Sequence, residues 1–155
     1  MSITIELGDV FEIETPRGFA YLQYIYNDKT MGVLIRVLPG IYTARPEDIN
    51  ELASEPEVFF TFFPVAHALR KKIVRRVGAA AIPSRVARPP LLRSPGRINP
   101  LTRAIENWWL WDGNQSWCVD RLDDEQKQLS VKAIWNDTLL IERIVAGWRP
   151  AEGWP

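Results

Sequence analysis

The sequence predicts an α+β domain, dominated by a mostly antiparallel, strongly curved sheet or SH3-like half barrel with short flanking helices. Three observations lead there. The first forty residues hold three apolar runs separated by tight turns, and two later segments carry helix caps with 3.6-residue stripes. Seven tryptophans, four tyrosines and six phenylalanines supply the core, since each ring side chain buries on the order of 150 to 250 Å². A chain of 155 residues is the size of one domain and buries roughly 70% of the surface that it exposes when unfolded, so a single domain over residues 1–155 is expected.

In DVFEIET, residues 9–15, Phe11 and Ile13 alternate with acids, which predicts a strand with one buried and one wet face. Thr15-Pro16-Arg17-Gly18 supplies Pro and Gly for a reversal. GFAYLQYIYN is apolar on both faces, as in a central strand, and Asn27-Asp28-Lys29 turns the chain into a third strand, MGVLIRVLPG. Arg36 stands out there. It shares a face with Leu34 and Leu38, so if buried its guanidinium needs a carboxylate or carbonyl partner, as in an ion pair with an acid on a neighbouring strand, and otherwise an edge position that leaves its head wet.

RPEDINELASEP, residues 45–56, predicts a short helix, with Pro46 in its first turn, Glu47 and Asp48 at the positive end and Pro56 as the stop. VFFTFFP reads as a buried strand. ALRKKIVRRVG fits either a further strand or a basic helical turn. Residues 79–100 contain Pro83, Pro89, Pro90, Pro95 and Pro100, which oppose regular structure and predict an extended loop wrapped over the sheet.

NWWLWDG and SWCVD then form a hairpin around Asp112-Gly113-Asn114, with Trp109 and Trp111 on one face and Trp108 and Leu110 on the other. Either Trp108 or Trp109 is expected in the core, with another indole at a binding rim, and the terminal helix carrying Trp148 is the natural cover. Asp123 and Gln126 have the spacing of a capping box. In IWNDTLLIERIVAGWRP, Asn136 is the cap, Leu140, Ile141, Ile144 and Trp148 form the stripe, and Gly147 closes the helix.

The formal net charge is zero, yet the charges segregate. Residues 1–57 hold ten acids and four bases, residues 58–105 hold ten bases and no acid, and residues 106–155 hold nine acids and five bases. Such a chain either folds its basic segment onto the acidic ones or presents a basic face to an acidic partner. The single cysteine, the acidic start and the lack of a long apolar run predict a cytoplasmic protein without a membrane span.

Little in the residues points to catalysis. Cys118, mid-strand between Trp117 and Val119, is expected to be buried and inert, and His67 an ordinary partly covered side chain. One Cys and one His make no usual zinc set, and Asp120, Asp123, Asp124 and Glu125 lack the Gly-punctuated loop of a calcium site, so neither metal nor cofactor is expected. A single-stranded nucleic-acid module using basic segment 70–103 is one alternative, although the isoelectric point near 6.6 opposes it. A small hydrolase, with a carboxylate or Cys118 in a concave pocket, is another.

The order of GDVFEIETPRGFAYLQYI, VFFTFFPVAHALRKKIVRRVGAAAIP, PPLLRSP and WWLWDG resembles the immunity protein 26 family of bacterial polymorphic toxin systems. The resemblance spans residues 7 to 120, and the terminal helix and GWRPAEGWP lie beyond it. It implies a non-catalytic cytoplasmic protein that binds and neutralises a cognate protein toxin. The charge segregation and the use of Trp and Arg as interface anchors give Arg36, Arg70, Arg75, Arg76, Trp108 and Trp111 as candidate partner-binding residues.

Overall fold

The computed structural model describes residues 4–86 and 89–152. Five strands form one open antiparallel sheet: β1 (Asp9–Thr15), β2 (Gly18–Asp28), β3 (Gly32–Val37), β4 (Phe59–Phe62) and β5 (Val74–Ala79), in the order β4-β3-β2-β1-β5. Three more, β6 (Leu92–Pro95), β7 (Trp108–Trp111) and β8 (Ser116–Val119), form a second antiparallel sheet in sequence order. The helices are α1 (Ile49–Ser54), α2 (Val65–Arg70) and α3 (Asp137–Ala146). The α+β class and the predominance of antiparallel strands agree with the sequence; neither sheet closes into a barrel.

The meander follows from its turns. Thr15 Oγ1 donates to the Gly18 carbonyl at 2.8 Å, closing the first reversal. Gly18 has φ 135°, and a Cβ there would stand 2.5 Å from the Tyr42 carbonyl oxygen, so only glycine lets Phe19 and Tyr42 exchange backbone bonds. Register shifts opposite Val10/Phe11, where Val77 is the extra residue of β5, and between Tyr24 and Tyr26, where Ile25 is the extra residue of β2, bend the sheet.

One face of the large sheet, through Phe11, Leu22, Ile35 and Val37, packs beneath α2 and α3. Asn136 caps α3, its Oδ1 accepting from the Leu139 N–H at 2.8 Å, and Gly147 ends it at φ 67°. Trp148 folds onto this sheet, with ring centroids 5.3 Å from Phe59 and 5.4 Å from Trp135. The expectation that Trp148 covers the tryptophan hairpin is thus corrected. The opposite face is divided. Val10, Tyr21 and Leu38 lie under Leu52 and Ala53 of α1, while Ile25, Leu34 and Phe62 meet Val86, Leu92 and Trp111 of the second sheet.

Coverage of both faces overturns the wet face predicted for β1: Asp9 and Glu12 are buried, each held by an arginine. The Pro-rich stretch is corrected as well. Residues 92–95 form a strand, with Pro95 at its end opposite Trp108, where a missing N–H costs the ladder least. In the ambiguous basic segment both readings are realised in turn, as α2 and then β5. Pro46 precedes α1, whose cap is Asp48. Among the described residues, no helix is long and apolar enough to cross a membrane.

Candidate functional site

Each sheet has two outer edges, and the four are treated differently. One extended segment, residues 130–135, seals two of them. Its first half bonds β6, where the Arg93 N–H donates to Ser130 O at 3.0 Å and the Lys132 N–H to Arg93 O at 2.7 Å. Its second half bonds β4, through the Phe62 N–H to Ala133 O at 3.1 Å and the Trp135 N–H to Phe62 O at 2.9 Å. Beyond β5 and β8 no further strand pairs among the described residues.

Those two open edges differ in chemistry. β5 carries Arg75 and Arg76, both exposed, and adjacent charges on an edge repel an incoming strand. β8 reads SWCV and has no charge at all. The Asp112 N–H donates to Gln115 O at 3.2 Å, so antiparallel alternation turns the backbone groups of Ser116 and Cys118 outward. Asp112 Oδ1 accepts from the N–H groups of both Asn114 and Gln115 at 2.9 Å, which fixes the turn and holds its carboxyl below the usual range.

Indoles flank this edge on both faces. Trp117 pairs with Leu110 and is 38% exposed; Trp109 pairs with Cys118 on the other face and is 43% exposed. Nearby along the chain, Ile98 and Ile105 bridge the base of a turn whose tip, Leu101, is 91% exposed. Four of the six exposed large apolar side chains among the described residues therefore lie between residues 98 and 117.

Beneath the same sheet sits Arg93, only 3% exposed, its guanidinium 4.8 Å from the Trp108 ring centroid. Arg93 Nε donates to Leu129 O at 2.9 Å and Nη2 to Pro150 O at 2.7 Å. No carboxylate pairs with it among the described residues, and burial pushes its pKa down. The groove it lines, of about 430 Å³, is rimmed by Arg121, Lys127, Glu106 and Asp120.

The sequence-derived candidates scatter. Arg36 is wholly buried and is corrected as a partner contact: Nε donates to Glu57 at 2.9 Å, and Nη1 to Gln23 at 2.7 Å and Ala53 O at 2.8 Å. Trp111 is also corrected; it is locked between the sheets, 6.0 Å from Phe62 and 6.3 Å from Tyr26. Trp108 is half-buried under Arg93. Arg70 is exposed at the end of α2, Arg75 lines a polar groove of about 400 Å³ with Glu12, Glu14, Arg45 and Lys72, and Arg76 is held by Asp9 at 2.9 Å. The basic segment meets flanking acids through Arg76–Asp9, Arg85–Glu57 and Arg97–Glu106.

Glu12 accepts from Arg45 Nε at 2.9 Å and from the Tyr21 hydroxyl at 2.7 Å. The Arg45 bond, outweighing burial, lowers its pKa, so it stays ionised; burial and then the bond to Glu12 raise that of Tyr21. Cys118 is exposed, not buried as expected, because β8 is an edge without a cover. His67 is exposed on α2. No three His, Cys, Asp or Glu side chains converge among the described residues. Asp123 is engaged in a reciprocal cap with Gln126, at 2.7 and 3.0 Å.

The sequence reading missed Trp109, Trp117 and Arg93. The signal for the first two was present: a four-residue strand without charge, directly after a strong turn. Comparison with protein families, curated proteins and solved structures finds no match to this chain.

Proposed function

We propose that this is a non-catalytic binding protein that neutralises a cognate bacterial protein toxin by covering its surface, acting in the cytoplasm of the cell that makes it. This is the function that the resemblance to the immunity protein 26 family implies. The observation that carries it is the bare edge of β8, flanked by Trp109 and Trp117. An extended segment of the partner adds to that edge as a further strand, its backbone satisfying Ser116 and Cys118 while the two indoles clasp its opposite faces. Tryptophan is favoured as an anchor because its large flat area is desolvated on contact at little entropic cost. Exposed charges around the edge steer the encounter, so added salt slows association.

A nucleic-acid partner fits less well. Arg75 and Lys72 line a groove with Glu12 and Glu14, and carboxylates among the arginines repel a phosphate backbone. A hydrolase fits less well too, since Glu12 is held ionised where a general acid needs a raised pKa.

The test is co-expression of this chain with the product of the adjacent gene. The expected result is restored growth and a stoichiometric complex by calorimetry, with both lost in the Trp109→Ala, Trp117→Ala double variant. Wild-type protein that neither protects nor binds overturns the proposal, as does a double variant that binds with unchanged affinity.

A further inference from the structure

A second feature lies apart from the β8 edge, where the end of α3 meets the β3 end of the large sheet. Here a pocket of about 250 Å³ opens between the loop after β3, the start of β4 and the last turn of α3. Its floor is apolar, made by Val37, Phe59, Ile144 and Trp148. Its charged lining is Arg17, Arg143 and Arg149, with no acidic side chain among the lining residues.

Two of the three arginines have part of a structural explanation. Arg17 Nη1 lies 3.5 Å from the Val145 carbonyl, and cations suit a helix C-terminus. The Arg143 guanidinium sits 5.7 Å from the Trp148 ring centroid. The charges do not balance, however. A helix end supplies about half an elementary negative charge, against three full positive ones. None of the three forms an ion pair among the described residues. Arg143 Nε is in addition buried without an acceptor, the one such side-chain atom among the described residues. Buried donors in folded proteins are nearly always satisfied, so this guanidinium has hydrogen-bonding capacity that nothing among the described residues meets.

We infer that the pocket binds a small carboxylate with an apolar body. The carboxylate lies among the guanidinium groups of Arg17, Arg143 and Arg149, whose forks match its two oxygens. The body rests on Phe59, Ile144 and Trp148. The size suits a short chain or a single ring, smaller than a nucleotide or a drug-sized molecule. The low-dielectric floor strengthens the charge contact and selects against a fully hydrated anion, because part of the ligand must leave water.

The test uses octanoate, with 1-octanol and inorganic phosphate as controls, followed through the Trp148 indole N–H resonance in nitrogen-labelled protein. Octanoate is expected to shift that resonance saturably. Octanol and phosphate should each bind at least tenfold more weakly, and Arg17→Gln with Arg149→Gln, both exposed positions, should weaken octanoate at least tenfold. Trp117→Ala should leave octanoate binding unchanged. No shift with millimolar octanoate overturns the inference. So does octanol binding equally well, which would make the pocket merely apolar, or phosphate binding equally well, which would make it a general anion site. Unchanged affinity in the double arginine variant overturns it as well.

Discussion

The β5 and β8 edges are both open, yet only one is defended. β5 belongs to a sheet covered on both faces, in which buried charges are matched: Arg36 with Glu57, Glu12 with Arg45, and Asp9 with Arg76. Its edge displays Arg75 and Arg76, the means by which folded proteins discourage strand addition. β8 belongs to a three-stranded sheet with exposed indoles, an uncharged edge and a buried arginine answered, among the described residues, by carbonyl groups and a ring. The contrast separates the work of the two sheets. Under the proposed function the large sheet is the scaffold, its buried charges matched among the described residues, and the small one offers the open β8 edge to which a partner strand would add.

The largest expected effect sharpens the scaffold side. Glu57→Ala removes the only carboxylate bonded to Arg36 among the described residues and leaves a buried cation with carbonyl and amide partners, which costs about 3 kcal/mol of stability. Urea unfolding measures this, while affinity of the remaining folded protein for the proposed partner should hold. Next, Trp117→Ala should weaken partner binding by about 2 kcal/mol, roughly thirtyfold, with a smaller change in stability because the ring is partly exposed. Equal losses in stability and binding would make Trp117 a scaffold residue.

Cys118→Lys tests the edge itself. It places on β8 the kind of charge that β5 already carries, and should weaken the complex about tenfold while altering stability by about 0.5 kcal/mol or less. Arg75→Val reverses the experiment on β5. Stripping charge from that edge should raise concentration-dependent self-association, visible by light scattering, whereas the wild-type edge stays quiet.

The smallest effect is acid dependence. The folded pKa of Glu12 lies below the unfolded value, chiefly through its bond to Arg45. Its contribution to stability is therefore full above the ordinary carboxylate range and is lost as pH falls through the depressed folded pKa. Glu12→Gln should flatten the acid limb of a stability–pH curve. An unaltered limb would mean that Glu12 is not held by Arg45 in solution.

What the sequence revealed was mostly local. Thr15–Gly18, the Asn136 and Gly147 caps, the Asp123–Gln126 box and the Asp112–Asn114 turn all depend on residues a few positions apart, and all appear as read. What it hid depends on distant pairing. Alternation in DVFEIET marks two faces, but not that α1 covers the second. Five prolines argue against a strand at residues 92–95 until segment 130–135 and β7 are seen to flank it. Cys118 between Trp117 and Val119 looks interior because sequence pattern gives a strand's faces without saying whether it ends the sheet. For the same reason, of the four tryptophans in the hairpin the two singled out are those that the fold covers more, and the two that it exposes were passed over.

The most direct test of the division between scaffold and working edge is amide hydrogen exchange of the complex with the adjacent gene's product. Protection on binding is predicted at the amides of Ser116 and Cys118, with little change from Val74 to Ala79. Protection centred on β5 and the Arg70 turn, with β8 exchanging as in the free protein, would contradict it.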